Sequence, residues 1–186
     1  MKLKEMKEKV LGLIEELNPN SELLTDDPDI ASKINDVINQ VMFELARHKK
    51  LPDYVEMEVK KGDLIRFEDI EKKAKYVVYQ LGLISGAAYE LKADGTVVKA
   101  LEDGVLEINY FKYPEAITRK TKDSYEFELP QDLLEIMPYG IAADLLKSDV
   151  STEYGRIYAE RYEQLKQLLD PRYAMLGVRI KGGWKI

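Results

Sequence analysis

Residues 154 to 162 read Tyr-Gly-Arg-Ile-Tyr-Ala-Glu-Arg-Tyr, which puts three tyrosines and two arginines within a short stretch. With Leu165, Leu168 and Leu169, the residues Tyr154, Ile157, Tyr158, Arg161 and Tyr162 recur at helical spacing, so they form one stripe on one helix. Tyrosine and arginine each carry a flat apolar body with a polar handle, and both are favoured where proteins meet. Their chemistry is therefore recognition rather than bond making. The same spacing also describes an ordinary core stripe whose phenols reach water, and the sequence leaves both readings open.

Residues that could make or break bonds are poorly grouped. His48 is the one histidine and there is no cysteine, which argues against zinc sites, Cys–His catalysis and a serine triad. Neither a phosphate-cradling loop nor a dinucleotide fingerprint appears, and Lys181-Gly182-Gly183 has too few glycines at the wrong spacing. Two carboxylates suffice for glycoside hydrolysis. Here Glu56 and Glu58, like Glu126 and Glu128, alternate with apolar residues, which is the pattern of a solvated sheet face. The expectation is a non-enzymatic protein with no catalytic residue, no cofactor and no metal.

Composition bounds the rest. The chain has 186 residues, 45% hydrophobic and 33% charged, with a formal net charge of −6. That suits one globular domain with a real core, and it lacks the basic balance of a free-standing DNA reader. The opening MKLKEMKEKV reads as charged helix rather than a secretory leader, and no apolar run approaches a membrane span, so no membrane partner is expected. The absence of cysteine fits a reducing cytoplasm.

The elements that would position the stripe follow from periodicity. Helices are expected over 2–18, 28–48, 131–147 and 152–169. The second starts at Asp27-Pro28-Asp29, with a capping aspartate, proline at the first helical position and acidic charge at the positive end of the dipole. It carries Ile30, Ile34, Val37, Ile38, Val41, Met42 and Leu45, and its basic tail Arg47-His48-Lys49-Lys50 suits a helix C-terminus. Pro138 predicts a short turn before it and a new helix starting at it. Gly140, Ala142 and Ala143 give a small-residue face that admits a close neighbour. Ser151 is the expected cap of the last helix.

Between the helices, 54–129 is a β region of about six short strands. Asp94-Gly95 marks a hairpin, Glu68 to Lys73 reads as a charged connection, and Tyr125 to Leu129 as a last alternating strand. Strands gathered between helical ends argue an α+β fold: helices from both ends packed together, with a small antiparallel sheet or sandwich inserted. Residues 1–174 would form that domain, and 175–186 an extended tail with strand character at Val178-Arg179-Ile180 and Trp184 as an anchor. The tail could add a strand to a neighbour or be an edge strand of its own sheet.

The C-terminal third also resembles a known family. Leu129-Pro130 is followed by Pro138-Tyr139-Gly140-Ile141-Ala142-Ala143-Asp144-Leu145-Leu146, the break Ser148-Asp149-Val150, and Tyr158-Ala159-Glu160-Arg161-Tyr162-Glu163 with Leu165. This is similar to the head–tail connector, or adaptor, proteins of tailed bacteriophages. The helix with Ile34, Val37, Ile38 and Leu45 resembles the opening helix of those proteins. The β region is longer than in their purely helical members. The resemblance implies a structural virion protein, made in the host cytoplasm and placed at the head–tail junction. It would form a homo-oligomeric ring of twelve-fold symmetry between the portal and the tail or stopper proteins, with DNA only as passing cargo. An acidic channel wall would repel phosphate and let DNA slide. The assembly interface would be carried by Tyr154, Tyr158, Arg161, Tyr162, Val178, Ile180 and Trp184. The competing reading is a β-sandwich binding module of a baseplate or tail, with exposed aromatics among Tyr110, Phe111 and Tyr113 as a sugar platform; alternation makes one face of that strand core, so only some of the three would be exposed.

Overall fold

Helix α4 (Gln131–Leu145) is apolar on nearly every side, and Leu133, Leu134, Ile136, Met137, Pro138, Gly140, Ile141 and Ala142 are all buried along it. A helix of that composition has to be enclosed. It packs against α1 (Leu3–Leu13), α2 (Pro28–Lys49) and α5 (Tyr154–Leu168), as expected for helices gathered from both ends of the chain. The computed structural model describes residues 1–92, 95–148 and 153–169. They form a mixed α+β fold of five helices and two antiparallel three-stranded sheets among those residues. The sequence reading treats 1–174 as one domain. The chain instead clusters into two compact units: a helical unit of Met1–Lys49 with the described part of Pro114–Asp170, and a β unit over Lys50–Tyr113.

Several boundaries in the helical unit differ from expectation. Pro138 lies inside α4 and starts no new helix. It deletes one backbone donor, yet packing on three sides holds the helix together. Helix α1 stops at Leu13, short of the expected 18. Glu15 is left-handed at φ 62°, and the Glu16 N–H reaches back to the Leu11 carbonyl at 2.9 Å, a Schellman closure without glycine. Residues 14–27 then run as turns, tied by an Asn18 to Asp26 hydrogen bond of 2.7 Å. Helix α2 matches its reading, with the Asp27 carboxylate accepting from the N–H of Asp29 at 2.8 Å and of Ile30 at 3.3 Å. Residues 125–129 bury Phe127 and Leu129 by alternation but form no sheet strand. They make one bridge, Glu126 to Lys2, and belong to the helical unit.

The β unit is a three-stranded ribbon folded in half. Strands β1 (Pro52–Val59), β3 (Val78–Gly86) and β6 (Gly104–Lys112) form one half in the order β1-β6-β3. Strands β2 (Leu64–Arg66), β4 (Tyr89–Lys92) and β5 (Val97–Ala100) form the other in the order β2-β5-β4. Each strand of the first half runs into one of the second, and the folds are bonded across. Gly62 donates to the Ala100 carbonyl at 2.8 Å, Ala87 to Val105 at 2.9 Å and Leu101 to Ala88 at 2.8 Å. Gly86 makes the bend possible, at φ 105°, because a Cβ there would stand 2.1 Å from the Val105 carbonyl oxygen. Strands β4 and β5 pair antiparallel, Lys92 opposite Val97; of the expected Asp94-Gly95 turn between them, Asp94 lies outside the described residues.

The folded ribbon encloses Val55, Ile65, Val98, Leu106, Ile108 and Tyr110. Its open end is filled by α3 (Phe67–Ala74), where the sequence suggests only a charged connection. Ile70 of α3 is fully buried, and Phe67 and Ala74 pack against the same core. The Asp69 carboxylate accepts from the Arg66 N–H at 3.0 Å and fixes the start of this helix. The ribbon begins and ends side by side, with Pro52 opposite Phe111 and the Lys112 N–H on the Leu51 carbonyl at 3.0 Å.

Candidate assembly interface

The sequence groups Tyr154, Ile157, Tyr158, Arg161, Tyr162, Leu165, Leu168 and Leu169 into one stripe. The structure divides that stripe in two. At roughly 100° per residue, Tyr158, Tyr162 and Leu165 turn to one side of α5, and Tyr154, Ile157, Arg161 and Leu168 to the adjoining side. The first set meets the helical unit. Tyr162 is 6% exposed, and Leu169, just past the helix end, is buried as well. The second set is exposed: Tyr154 is 57% exposed, Ile157 49% and Leu168 80%, and Arg161 is exposed beside them. Part of the apolar arc of α5 is thus left exposed by the described residues.

The inward half is held firmly. A Cβ on Gly140 would stand 2.8 Å from Tyr162 Cε2 and 3.0 Å from Val41 Cγ1, so the small-residue face of α4 admits a tyrosine ring and a valine. Lys166 lies over the Tyr162 ring at 4.8 Å and pairs with Glu44 at 2.7 Å and Glu163 at 2.5 Å. Burial and the carboxylates of Glu44, Glu163 and Asp144 push the Tyr162 phenol far above its ordinary value. The hydroxyl is buried with no well-formed hydrogen bond among the described residues, although Glu44 stands near enough to act on its titration. Tyr158 donates its hydroxyl to the Leu13 carbonyl at 2.6 Å and stacks loosely on Tyr139 at 6.4 Å. Its pKa is raised, first by burial and then by Glu15. Tyr158 and Tyr162 therefore anchor α5, and the free surface is Tyr154, Ile157, Arg161 and Leu168. Ile157 and Leu168 were part of the sequence stripe but not of the expected interface. Only their exposure singles them out, and no spacing rule carries that.

A cleft of about 510 Å³ opens beside Tyr154, at the ends of α1 and α4 and the start of α2. Its walls are apolar at Leu13, Ile14 and Ile30, and its rim carries Glu15, Glu16, Asp27 and Asp29 against the single cation Lys33. Lys33 is engaged by Asp29 at 3.3 Å, and Asp27 caps α2. Glu15 and Glu16 are exposed and make no ion pair among the described residues.

The other expected sites change place. Val178, Ile180 and Trp184 lie outside the described residues. Of the three aromatics considered for a sugar platform, Tyr110 lies on the core side of its strand, 2% exposed. Phe111 and Tyr113 are half-buried and pack with Tyr79, at 6.3 and 4.8 Å. Alternation places Tyr110 with Lys112 on the other side of the strand. There Lys112 pairs with Asp53 at 2.8 Å and covers the Tyr76 ring at 3.5 Å. In the basic tail of α2, Lys49 is 4% exposed and pairs with Asp132 in the first turn of α4. Each charge suits the dipole of its own helix end.

Among the described residues no helix is long and apolar enough to cross a membrane, and no group of three or more histidine, cysteine or acidic side chains could hold a metal ion. Comparison of the sequence with family models and with curated proteins finds no match.

Proposed function

We propose that the protein is a structural virion component of a tailed phage or prophage, a head–tail connector that assembles into a ring between portal and tail around the DNA channel. The observation that carries this reading is the uncovered half of α5. An isolated chain has no use for Tyr154, Ile157 and Leu168 in water on a helix whose other side is firmly seated. A protein that works by assembling does. The formal charge of −6 supports a channel wall that does not hold DNA, and the order of elements from α4 to α5 supports the resemblance to adaptor proteins.

The experiment is a mass measurement in solution with electron microscopy, on the full chain alone and with a tailed-phage portal protein. A closed ring, or a ring on the portal, is expected. A chain that stays monomeric and ignores the portal would end the connector reading. So would a turnover reaction lost on replacing one carboxylate.

A further inference from the structure

We infer that the uncovered face of α5 docks into the acidic cleft of a second copy, head to tail, with Arg161 as the charge that enters the cleft. This inference rests on the ring reading and names the contact that would build the ring.

The two surfaces match in kind and oppose in sign. The α5 face is apolar, with one guanidinium that forms no ion pair among the described residues. The cleft is apolar, with a rim whose Glu15 and Glu16 carboxylates are likewise unengaged. Arginine in an apolar surround is a strong interface anchor, because its fork meets carboxylates while its planar body packs. Arg161 makes no ion pair with the Glu15 or Glu16 of its own chain, although Tyr158, one helical turn before it, lines the cleft wall. Its other α5 neighbour in charge, Arg156, is engaged locally by Glu153 and Glu160, both at 3.9 Å.

Both surfaces lie in the helical unit; they share Tyr154, at the cleft edge, and differ in their other residues. Contact between unlike patches is heterologous. It leaves one free face and one free cleft after each addition, and it closes into a ring when the rotation per copy divides a full turn. A self-complementary α5-to-α5 contact would stop at two copies and put Arg161 against Arg161.

The test is sedimentation velocity on the full chain and on two variants, Arg161→Glu and the double variant Glu15→Lys/Glu16→Lys. All three sites are exposed, so unchanged circular dichroism and melting are the check on folding. Wild type is expected to assemble as concentration rises, and each variant alone to weaken self-association roughly 30-fold or more. Mixed in equal amounts, the variants are expected to assemble again beyond dimers in alternating order, because the α5 of each carries the charge that complements the cleft of the other. The triple variant carrying all three reversals is expected to assemble again.

Assembly of Arg161→Glu at wild-type strength would overturn this contact and leave the ring reading standing on another interface. A mixture that stays monomeric would overturn it too, and a mixture that stops at dimers, or a cleft variant that still assembles alone, would point to α5 meeting α5 and also overturn it. Wild type that remains monomeric into the millimolar range would remove the contact, and the portal experiment would then decide the ring separately.

Discussion

The ring of Tyr162 lies across Gly140 so closely that one added methyl group on α4 would meet Cε2 at 2.8 Å. The pair sets the distance between α4 and α5, with Val41 of α2 closing the third side. Gly140→Ala gains up to about 1 kcal/mol in helix propensity, but overpacking an enclosed site costs about 1–3 kcal/mol. With the full helix-propensity gain, the net expectation is a loss of up to about 2 kcal/mol in urea unfolding. In a Tyr162→Leu background the same substitution should cost little, because the two residues share the contact. Equal costs in both backgrounds would show that the ring does not limit position 140.

Tyr162→Phe tests the buried hydroxyl. An unpaired buried donor carries a penalty of about 1–3 kcal/mol, so its removal should leave stability unchanged or raise it by about 1 kcal/mol. A clear fall in the melting temperature would mean that Glu44 accepts a hydrogen bond from this phenol.

Lys49 and Asp132 should respond unequally. Asp132→Asn leaves a buried ammonium without its carboxylate. Breaking an enclosed pair costs about 3–5 kcal/mol, and the half-exposed Asp132 side lowers the expectation to about 2 kcal/mol. Lys49→Met removes the charge and keeps the stem, so stability should change by less than about 1 kcal/mol. Equal losses in chemical denaturation would show that the charge itself is needed.

Gly86→Ala should unfold the β unit selectively. The left-handed backbone and the approach of the Val105 carbonyl leave no room for a methyl group, and strain of that kind costs about 3 kcal/mol or more. Amide exchange should rise across β1 to β6 and stay low in α4. Uniform protection in the variant would show that the bend can move elsewhere.

The Asp53–Lys112–Tyr110 cluster predicts a loss of stability towards both ends of the pH scale. Burial alone would raise the Asp53 carboxyl, but hydrogen bonds from Lys112 and the Tyr54 N–H hold it below its ordinary 3.8. Its contribution is present above 3.8 and is lost as pH falls through the lower folded value. Lys112 is shifted upward: burial opposes the shift, and Asp53 outweighs burial. Tyr110 is pushed up to about 12 by burial first and then by Asp53. Both are lost as pH rises, Tyr110 between 10.0 and about 12 and Lys112 above 10.5. Asp53→Asn should lose about 0.5–1 kcal/mol at neutral pH, and its melting temperature should change less on acidification than that of wild type. Parallel pH profiles for the two proteins would remove Asp53 from the account.

The helices were legible where periodicity and a cap coincide. Asp27-Pro28-Asp29 marks the start of α2, and Ile34, Ile38 and Leu45 are buried at the expected spacing. The end of α1 was not legible, because the left-handed residue that closes it is Glu15 and not a glycine. Helix α3 was visible in Phe67, Ile70 and Ala74 at helical gaps, but the charges between them masked a short pattern. Pro138 misled because local chain preference was weighed above the packing that encloses α4. For the candidate site, the sequence delivered the residues of α5 but not their division. Periodicity tells how wide an apolar arc is; what covers each half depends on helices far away in the chain.

The β unit leaves the helices at Lys50 and returns at Tyr113, and the strands at those two ends are hydrogen-bonded neighbours. In evolutionary terms it is a guest spliced into a helical host through a single doorway. A host whose chain is interrupted at one narrow gap keeps its own helices in register when the guest is shortened, enlarged or exchanged.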